Sequence, residues 1–398
     1  MNKREQTEVE VLKAFKEEIP SVYFSDKSEA EYAEWSDSAY HLFHDSLQFP
    51  PKMFENCSLI DFGAGTGENT IQYANWGARC TLVEMNENAS KVSVDVFKKY
   101  SNNFNNHKFI NTSIFDFESE EKFDIVVSRG VLHHTGDKKG GFEKIASFLK
   151  PGGYIIVGFS NQSGALQNSL QRMTVYKYGK NWDEMVEVSE KLFKEDIDRS
   201  QKFSNRTRRS IIFDRYVVPK QDDPSVSEVL NWFMKCGLKF YSSNPQFVLP
   251  IKGDSYLNKP RFDVRDHPEI GAFSEAIWMT QTLGDAEEAP LMLESLKQFS
   301  NSQFDLTDYM NDVGPDNTID IDLLIDKIDK FQLTETKVNL TEHLISKHEK
   351  FFAEVKEFLA LIKNQNSLDS IAAYLKSTEI LFKGRNGLRM VDFIGFKL

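Results

Sequence analysis

Along the first fifty residues, apolar and aromatic side chains recur at helical spacing, through Val9, Leu12 and Phe15 and again through Tyr32, Trp35, Tyr40 and Phe43. The Pro50-Pro51 pair ends that segment. From Ser58 the rhythm changes. Short apolar runs at 59–62, 80–83, 109–110, 125–127 and 155–159 alternate with helical stretches at 69–76, 89–100 and 142–149. Alternation of this kind predicts a parallel sheet with helices on both faces. After residue 158 it stops. Residues 161–222 are polar, basic in places and helical in pattern. A helix is predicted at 225–236, closed by Gly237, followed by strand material at 239–243 and 247–250. Residues 285–382 are helical again. The clearest segment, 340–363, carries Leu344, Phe351, Val355, Phe358 and Ile362 on one stripe, with Asn339 as its cap. Residues 305–326 are rich in Asp, contain Gly314-Pro315 and lack the spacing of a calcium loop, which predicts a solvated acidic connector. The last stretch, 390–398, reads as a strand.

Composition narrows the picture. The chain has 398 residues, with 48 Lys+Arg against 60 Asp+Glu and a net charge of -12, which disfavours a protein that grips nucleic acid broadly. Its 32 Phe supply ample core material and argue against wholesale disorder. No apolar run approaches the roughly 18 residues needed to span a bilayer, so no membrane partner is expected. The first ten residues, MNKREQTEVE, lack the apolar stretch of a secretion signal. Cys57, Cys80 and Cys236 lie far apart with no CxxC pair, which excludes a disulfide framework and a Cys-based zinc site and predicts a cytoplasmic location.

The segment with the most chemistry is Leu59-Ile60-Asp61-Phe62-Gly63-Ala64-Gly65-Thr66-Gly67-Glu68. A buried strand ends near Asp61, three alternate glycines follow, and a helix opens. Glycines let backbone approach a ligand closely, and a crevice of this kind lies outside the carboxyl ends of the strands. The dinucleotide pattern G-x-G-x-x-G requires a third glycine where Glu68 stands. A carboxylate at Asp61 suits a ligand with an amino group better than pyrophosphate. Glu84 closes the second strand about 20 residues on, where an acidic side chain accepts ribose hydroxyls. S-adenosylmethionine has the amino group and the ribose, and no phosphate.

These residues resemble the first motif of class I S-adenosylmethionine-dependent methyltransferases. Further similarities follow in order. Ser113-Ile114-Phe115-Asp116 resembles the loop framing the adenine, and Phe123 to Thr135, with Arg129 and the Gly-Val-Leu-His-His-Thr run, resembles strand four and its active-site loop. Leu149-Lys150-Pro151-Gly152-Gly153-Tyr154 resembles the turn into strand five. The match spans 58–160 and is similar in its histidine loop to the ubiquinone/menaquinone-type small-molecule branch. The resemblance implies an α/β, doubly wound Rossmann-like seven-stranded sheet, its last two strands antiparallel, with large helical insertions. On this reading 1–57 is an N-terminal helical lid, and 58–250 is the cofactor-binding core with a second lid at 161–222. Residues 251–385 are then a helical insertion and 386–398 the final strand.

The resemblance further implies S-adenosyl-L-methionine as cofactor, bound by Asp61, Gly63, Ala64, Gly65, Gly67, Glu84, Met85, Ser113, Ile114 and Arg129. His133, His134 and Asn161, at the ends of strands four and five, are the catalytic candidates, and no metal is expected. Alternatives stand beside several of these. The histidines could merely shape their loop, Asn161 could be a turn residue, and Gly67 could serve helix packing alone. Tyr32, Trp35 and Tyr40 could close over the cofactor or belong to the core. Arg199, Lys202, Arg206, Arg208 and Arg209 could face an anionic acceptor or form a solvated face. Phe213-Asp214-Arg215-Tyr216 suits a substrate wall. The leading expectation is methylation of a small molecule or secondary metabolite. The others are a methyltransferase for RNA or protein, and a non-catalytic scaffold that binds a partner, or a second copy of the chain, through the helical insertion.

Overall fold

The computed structural model describes residues 3–19, 28–204, 206–246, 269–280, 293–336, 342–383, 387 and 389–398. Two of the chain's expectations, strand material at 247–250 and a cap at Asn339, lie outside them.

Seven strands form one sheet in the order β3-β2-β1-β4-β5-β7-β6. They are β1 (Ser58–Phe62), β2 (Arg79–Val83), β3 (Lys108–Ile110), β4 (Phe123–Arg129), β5 (Leu149–Ser160), β6 (Leu238–Asn244) and β7 (Met390–Lys397). The first five run parallel, and β7 lies antiparallel between β5 and β6. This is the expected α/β sheet with its reversed C-terminal strand. β1 is buried along its whole length, as a central parallel strand must be when helices cover both faces.

Successive residues of each strand feed two different cores. Ile60, Phe62, Val126, Ile155 and Val157 face one side and pack with Phe142 of α5 (Lys138–Ser147) and with Trp232 and Phe233 of α10 (Val226–Lys235). Leu59, Cys80, Leu82, Ile125, Val127 and Ile156 face the other, against Phe43, Phe49, Phe54, Tyr73 and Phe97. Tyr73 belongs to α3 (Thr70–Asn75) and Phe97 to α4 (Glu87–Tyr100). α1 (Lys3–Glu17) and α2 (Glu29–His41) precede the sheet.

Between β5 and α10 stand α6 (Leu166–Tyr178), α7 (Trp182–Leu192), α8 (Lys194–Ser204) and α9 (Arg208–Ile212). Between β6 and β7 stand α11 (Glu269–Thr280), α12 (Leu293–Asn311), α13 (Ile321–Glu335), α14 (Glu342–Lys363) and α15 (Leu368–Ser377). The stripe predicted on α14 is buried as drawn: Leu344, Phe351, Val355, Phe358 and Ile362 join the first core. The expected acidic connector at 305–326 is not one. Asp305 lies inside α12 and its carboxylate accepts from Lys327 of α13 at 2.7 Å. Leu306, Met310, Leu324 and Ile328 recur between the acidic residues and are buried, so the segment packs as two helices with charges on the outer face. Among the described residues no helix is long and apolar enough to cross a membrane, and no cluster of side chains could hold a metal ion.

Candidate active site

A cavity of about 460 Å³ opens at the carboxyl ends of the parallel strands. Sheet order distributes its lining. Gly63 to Thr66 follow β1, Glu84 to Asn86 follow β2, Thr112 and Ile114 follow β3, Arg129 to Val131 close β4, and Ser160 closes β5. Because β7 is reversed, its first residue, Met390, pairs with Ser160 at the same edge, and Arg389 joins the wall.

Gly63 turns at φ +73 and Gly65 at φ +55, in the left-handed region that favours glycine. A Cβ at Gly63 would stand 2.5 Å from Val131, so the β1 loop touches the β4 loop only because no side chain intervenes. The Gly65 N–H donates to Glu84 Oε2 at 2.8 Å, and the Asn86 N–H donates to Glu84 Oε1 at 2.7 Å. The carboxylate is thereby fixed at the rim with lone pairs to spare. Burial pushes its pKa up, opposed by these N–H groups. Asn86 also caps α4 and donates through Nδ2 to the carbonyl of Phe15 at 2.9 Å.

Across the cavity stand His133 and His134, their rings 4.2 Å apart. Both are buried, and burial lowers both pKa values, so both imidazoles are neutral at pH 7. The carbonyl of Lys220 can only accept, so His134 Nδ1, 2.9 Å away, carries the proton and Nε2 holds the lone pair. His133 Nδ1 is buried without a hydrogen-bond partner. Beside the histidines lie Arg206, Asp214, Gln221 and Arg389. Burial alone would raise Asp214, yet Arg206, 2.9 Å away, holds its carboxyl below the usual range.

The remaining wall comes from the N-terminus: Glu8, Val11, Leu12, Phe15, Ile19 and Trp35. Glu8 accepts from Ser113 Oγ at 2.5 Å, Phe15 stands edge-on to His134 at 5.3 Å, and Trp35 Nε1 donates to the carbonyl of Glu68 at 3.2 Å. Tyr32 instead stacks on Tyr100, 4.1 Å away, and Tyr40 on His44.

Of the residues the sequence singled out, Gly63, Ala64, Gly65, Glu84, Met85, Ile114, Arg129, His133 and His134 line the cavity together. Four do not. Asp61 is 4% exposed beneath the loop, where Thr70 Oγ1 donates to it at 2.5 Å. Burial pushes its carboxyl up to about 7. Gly67 packs on α4, and a Cβ there would stand 3.0 Å from Ser93. Ser113 stands behind the wall, its Oγ donating to Glu8. Asn161 is buried behind β5, where Nδ2 donates to Glu275 at 2.8 Å and Oδ1 accepts from the N–H groups of Ser163 and Gly164. That leaves no amide of Asn161 for a substrate. α3 has only six residues, so the N–H groups at the cavity belong to the loop and not to a long helix.

The basic segment is also spent within the chain. Arg208 pairs with Glu190 and Asp198, and Arg209 with Glu18 and Asp183. The sequence reading missed Arg389, Gln221, Thr112 and Ser160. Arg389 had a signal, because it precedes a strand whose reversal brings its start to the cavity edge.

Residues 53–205 match a family model described as a methyltransferase domain. Over 175 residues the chain is 23% identical to malonyl-[acyl-carrier protein] O-methyltransferase 2 of Ilyobacter polytropus, covering 43% of this chain and 59% of that protein. Over 125 residues it is 26% identical to a hybrid PKS-NRPS synthetase of Neonectria, covering 28% of this chain and 3% of that one. The chain thus spans less than two thirds of either curated relative. Among solved structures, 1,6-didemethyltoxoflavin-N1-methyltransferase of Burkholderia thailandensis shares 16% identity, covers 40% of this chain and 66% of its own, and gives a TM-score of 0.31. A possible histamine N-methyltransferase of Thermotoga maritima shares 14%, covers 58% and 83%, and gives 0.32. Residues 53–205 belong to the class I S-adenosylmethionine-dependent methyltransferases.

Proposed function

We propose that this chain transfers a methyl group from S-adenosylmethionine to a small-molecule acceptor. The observation that carries the reading is the Glu84 carboxylate. It is pinned by the Gly65 and Asn86 N–H groups at one side of the cavity, with neutral histidines at the other. The residues fit the donor. Its adenosine diol would be accepted by Glu84, its adenine framed by Met85, Thr112 and Ile114, and its backbone-facing side met by Gly63 to Gly65. The volume is in the range of small-molecule sites, about 300–1,000 Å³. Bound there, S-adenosylmethionine supplies an electrophilic methyl on a sulfonium. The chain's own residues align the acceptor, exclude water and take a proton. His134 suits the last task, because its Nδ1 proton is committed to Lys220 and its Nε2 lone pair is open. His133 shapes the same wall.

In this reading α1 acts as the lid. It is held over the cavity by Glu8–Ser113, by Asn86 on the Phe15 carbonyl and by Phe15 on His134. Residues 161–222 close the other side through Arg206, Asp214 and Gln221. The free cysteines suit the cytoplasm. A polyanionic acceptor is not favoured, since Arg206, Arg208 and Arg209 are already paired. The test is calorimetry of the full chain with S-adenosylmethionine and S-adenosylhomocysteine, followed by labelled-methyl transfer into a metabolite extract. Saturable binding and a labelled small product are expected. Absence of binding at millimolar ligand returns the scaffold reading.

A further inference from the structure

We infer that the methyl acceptor is a carboxylic acid with an apolar body, its carboxylate held by Arg389. The inference rests on the methyl-transfer reading and deepens it. Arg389 stands in the cavity wall at the head of β7, beside the histidine loop and on the far side of the sheet from Glu84. Its hydrogen bond goes to a neutral group, Nη1 donating to Asn168 Oδ1 at 2.8 Å. The other arginines nearby have ionic partners: Arg206 has Asp214 at 2.9 Å, Arg215 has Asp196 at 2.6 Å, and Arg129 has Asp392 at 2.7 Å. Among the described residues no carboxylate lies within salt-bridge distance of Arg389, and Asp214 and Asp223 act on it only from farther off.

A second observation points the same way. Arg172, 2% exposed, backs this wall. Its Nη2 is buried with no hydrogen-bond partner, and its Nη1 reaches Gln221 only at 3.5 Å. A buried guanidinium left partly unsatisfied is costly. The cost falls when an anion enters the neighbouring cavity.

The charge balance sets the kind of anion. At the histidine end of the cavity Arg206 is paired with Asp214 and Arg215 with Asp196, and Asp223 is the one carboxylate shared by Arg172 and Arg389, which leaves one positive charge over there. His133 and His134 are neutral and add none. One surplus charge matches a monoanion, and the planar guanidinium matches a carboxylate. A phosphate dianion would set a second negative charge against Asp214. The rest of the acceptor meets Leu12, Phe15, Ile19 and Val131, an apolar wall.

The test uses the full chain with labelled S-adenosylmethionine and a metabolite extract divided on an anion exchanger. One aliquot of the retained fraction has its carboxyls amidated, and another is treated with phosphatase. Calorimetry with S-adenosylhomocysteine is run on wild type, Arg389→Gln and Arg389→Lys. The expected product forms only from the retained fraction, disappears on amidation and survives phosphatase. Arg389→Gln raises KM for that fraction about tenfold or more with a smaller change in kcat, Arg389→Lys recovers part of the loss, and affinity for S-adenosylhomocysteine stays within about twofold in both. Three results overturn the inference: product from the unretained fraction, product that resists amidation, or an Arg389→Gln chain that loses S-adenosylhomocysteine, which would make Arg389 a donor contact. If wild type itself fails to bind S-adenosylhomocysteine, the methyl-transfer reading falls first, and the two failures are distinguishable.

Discussion

Arg129, at the end of β4, and Asp392, in β7, are 263 residues apart in the chain and grip each other across an intervening strand. Arg129 Nε donates to Oδ1 at 2.7 Å and Nη2 to Oδ2 at 2.9 Å. The residue between them on β5 is Gly158, in register with both. A Cβ there would stand 2.5 Å from Asp392 Oδ1. The glycine is a gap that admits a salt bridge, and the bridge fastens the last strand beside the cavity.

Gly158→Ala is therefore expected to lower stability by about 1–3 kcal/mol, as for other overpacked sites. Asp392→Asn leaves a half-buried guanidinium without its charge partner and is expected to cost about 2–4 kcal/mol, somewhat less than breaking a fully buried pair. The double change Arg129→Met with Asp392→Leu is expected to cost less than Asp392→Asn alone. Urea unfolding of the four proteins checks the ranking, and equal midpoints for all would refute it.

If the proposed function holds, Glu84→Gln removes the charge offered to the ribose diol. Affinity for S-adenosylhomocysteine should fall about tenfold to a hundredfold, the loss of hydrogen bonds to a charged group. Asp61→Asn, whose side chain lies below the loop, should shift it less than about threefold. Calorimetry on both variants decides. A larger effect at Asp61 than at Glu84 would reverse the assignment.

His134 carries the proton-transfer prediction. Burial lowers its pKa below 6.5, so the neutral base predominates at pH 7. The kcat of methyl transfer should fall in acid with a midpoint below pH 6.5, the ordinary imidazole value. His134→Gln should lose about a hundredfold in kcat, the usual worth of a positioned base. Retention of wild-type kcat by His134→Gln would remove the residue from the chemistry.

Glu275 of α11 is fully buried, and burial pushes its carboxyl up to about 8. It accepts from Asn161 and from the Val226 N–H, joining the insertion to β5 and α10. The folded chain therefore holds this proton more tightly than the unfolded chain. The contribution is fully present below the unfolded value of 4.5 and is lost as pH rises toward 8. Glu275→Gln keeps the neutral shape and should match wild type at pH 5 while exceeding it at pH 8 by about 1 kcal/mol or more. Identical pH profiles of the two unfolding midpoints would contradict this.

Gly63→Ala should cripple binding of S-adenosylhomocysteine while leaving most of the sheet intact. The new Cβ meets Val131 at 2.5 Å and sits at φ +73, so the β1 and β4 loops must part. Circular dichroism beside calorimetry separates the two effects.

The alternation of short apolar runs with helical stretches was enough to lay out five parallel strands and to read 390–398 as a strand, while its reversal came only with the family resemblance. Each rule involved is local: side-chain period, glycine turns and strand-end carboxylates depend on near neighbours in sequence. That locality also explains Glu84, Gly63 and the His133-His134 loop, all found at the cavity. It explains the errors too. The Asp-rich 305–326 run read as a connector because Lys327 and the buried Leu306 and Leu324 weigh in only once two helices pack together. Asn161 and Asp61 sit in the expected motifs but outside the cavity lining, because Glu275 and Thr70 take up their side chains.

Local patterning by itself determined the five parallel strands and the glycine loop that lines the cavity. Tertiary structure alone decided which charges are free. Arg206, Arg208 and Arg209 form a basic run in sequence but are paired in space, while Arg389, at the head of β7, lines the cavity with no salt bridge among the described residues. Net electrostatics at a point sums over every charge brought near it, and most of those neighbours come from distant parts of the chain.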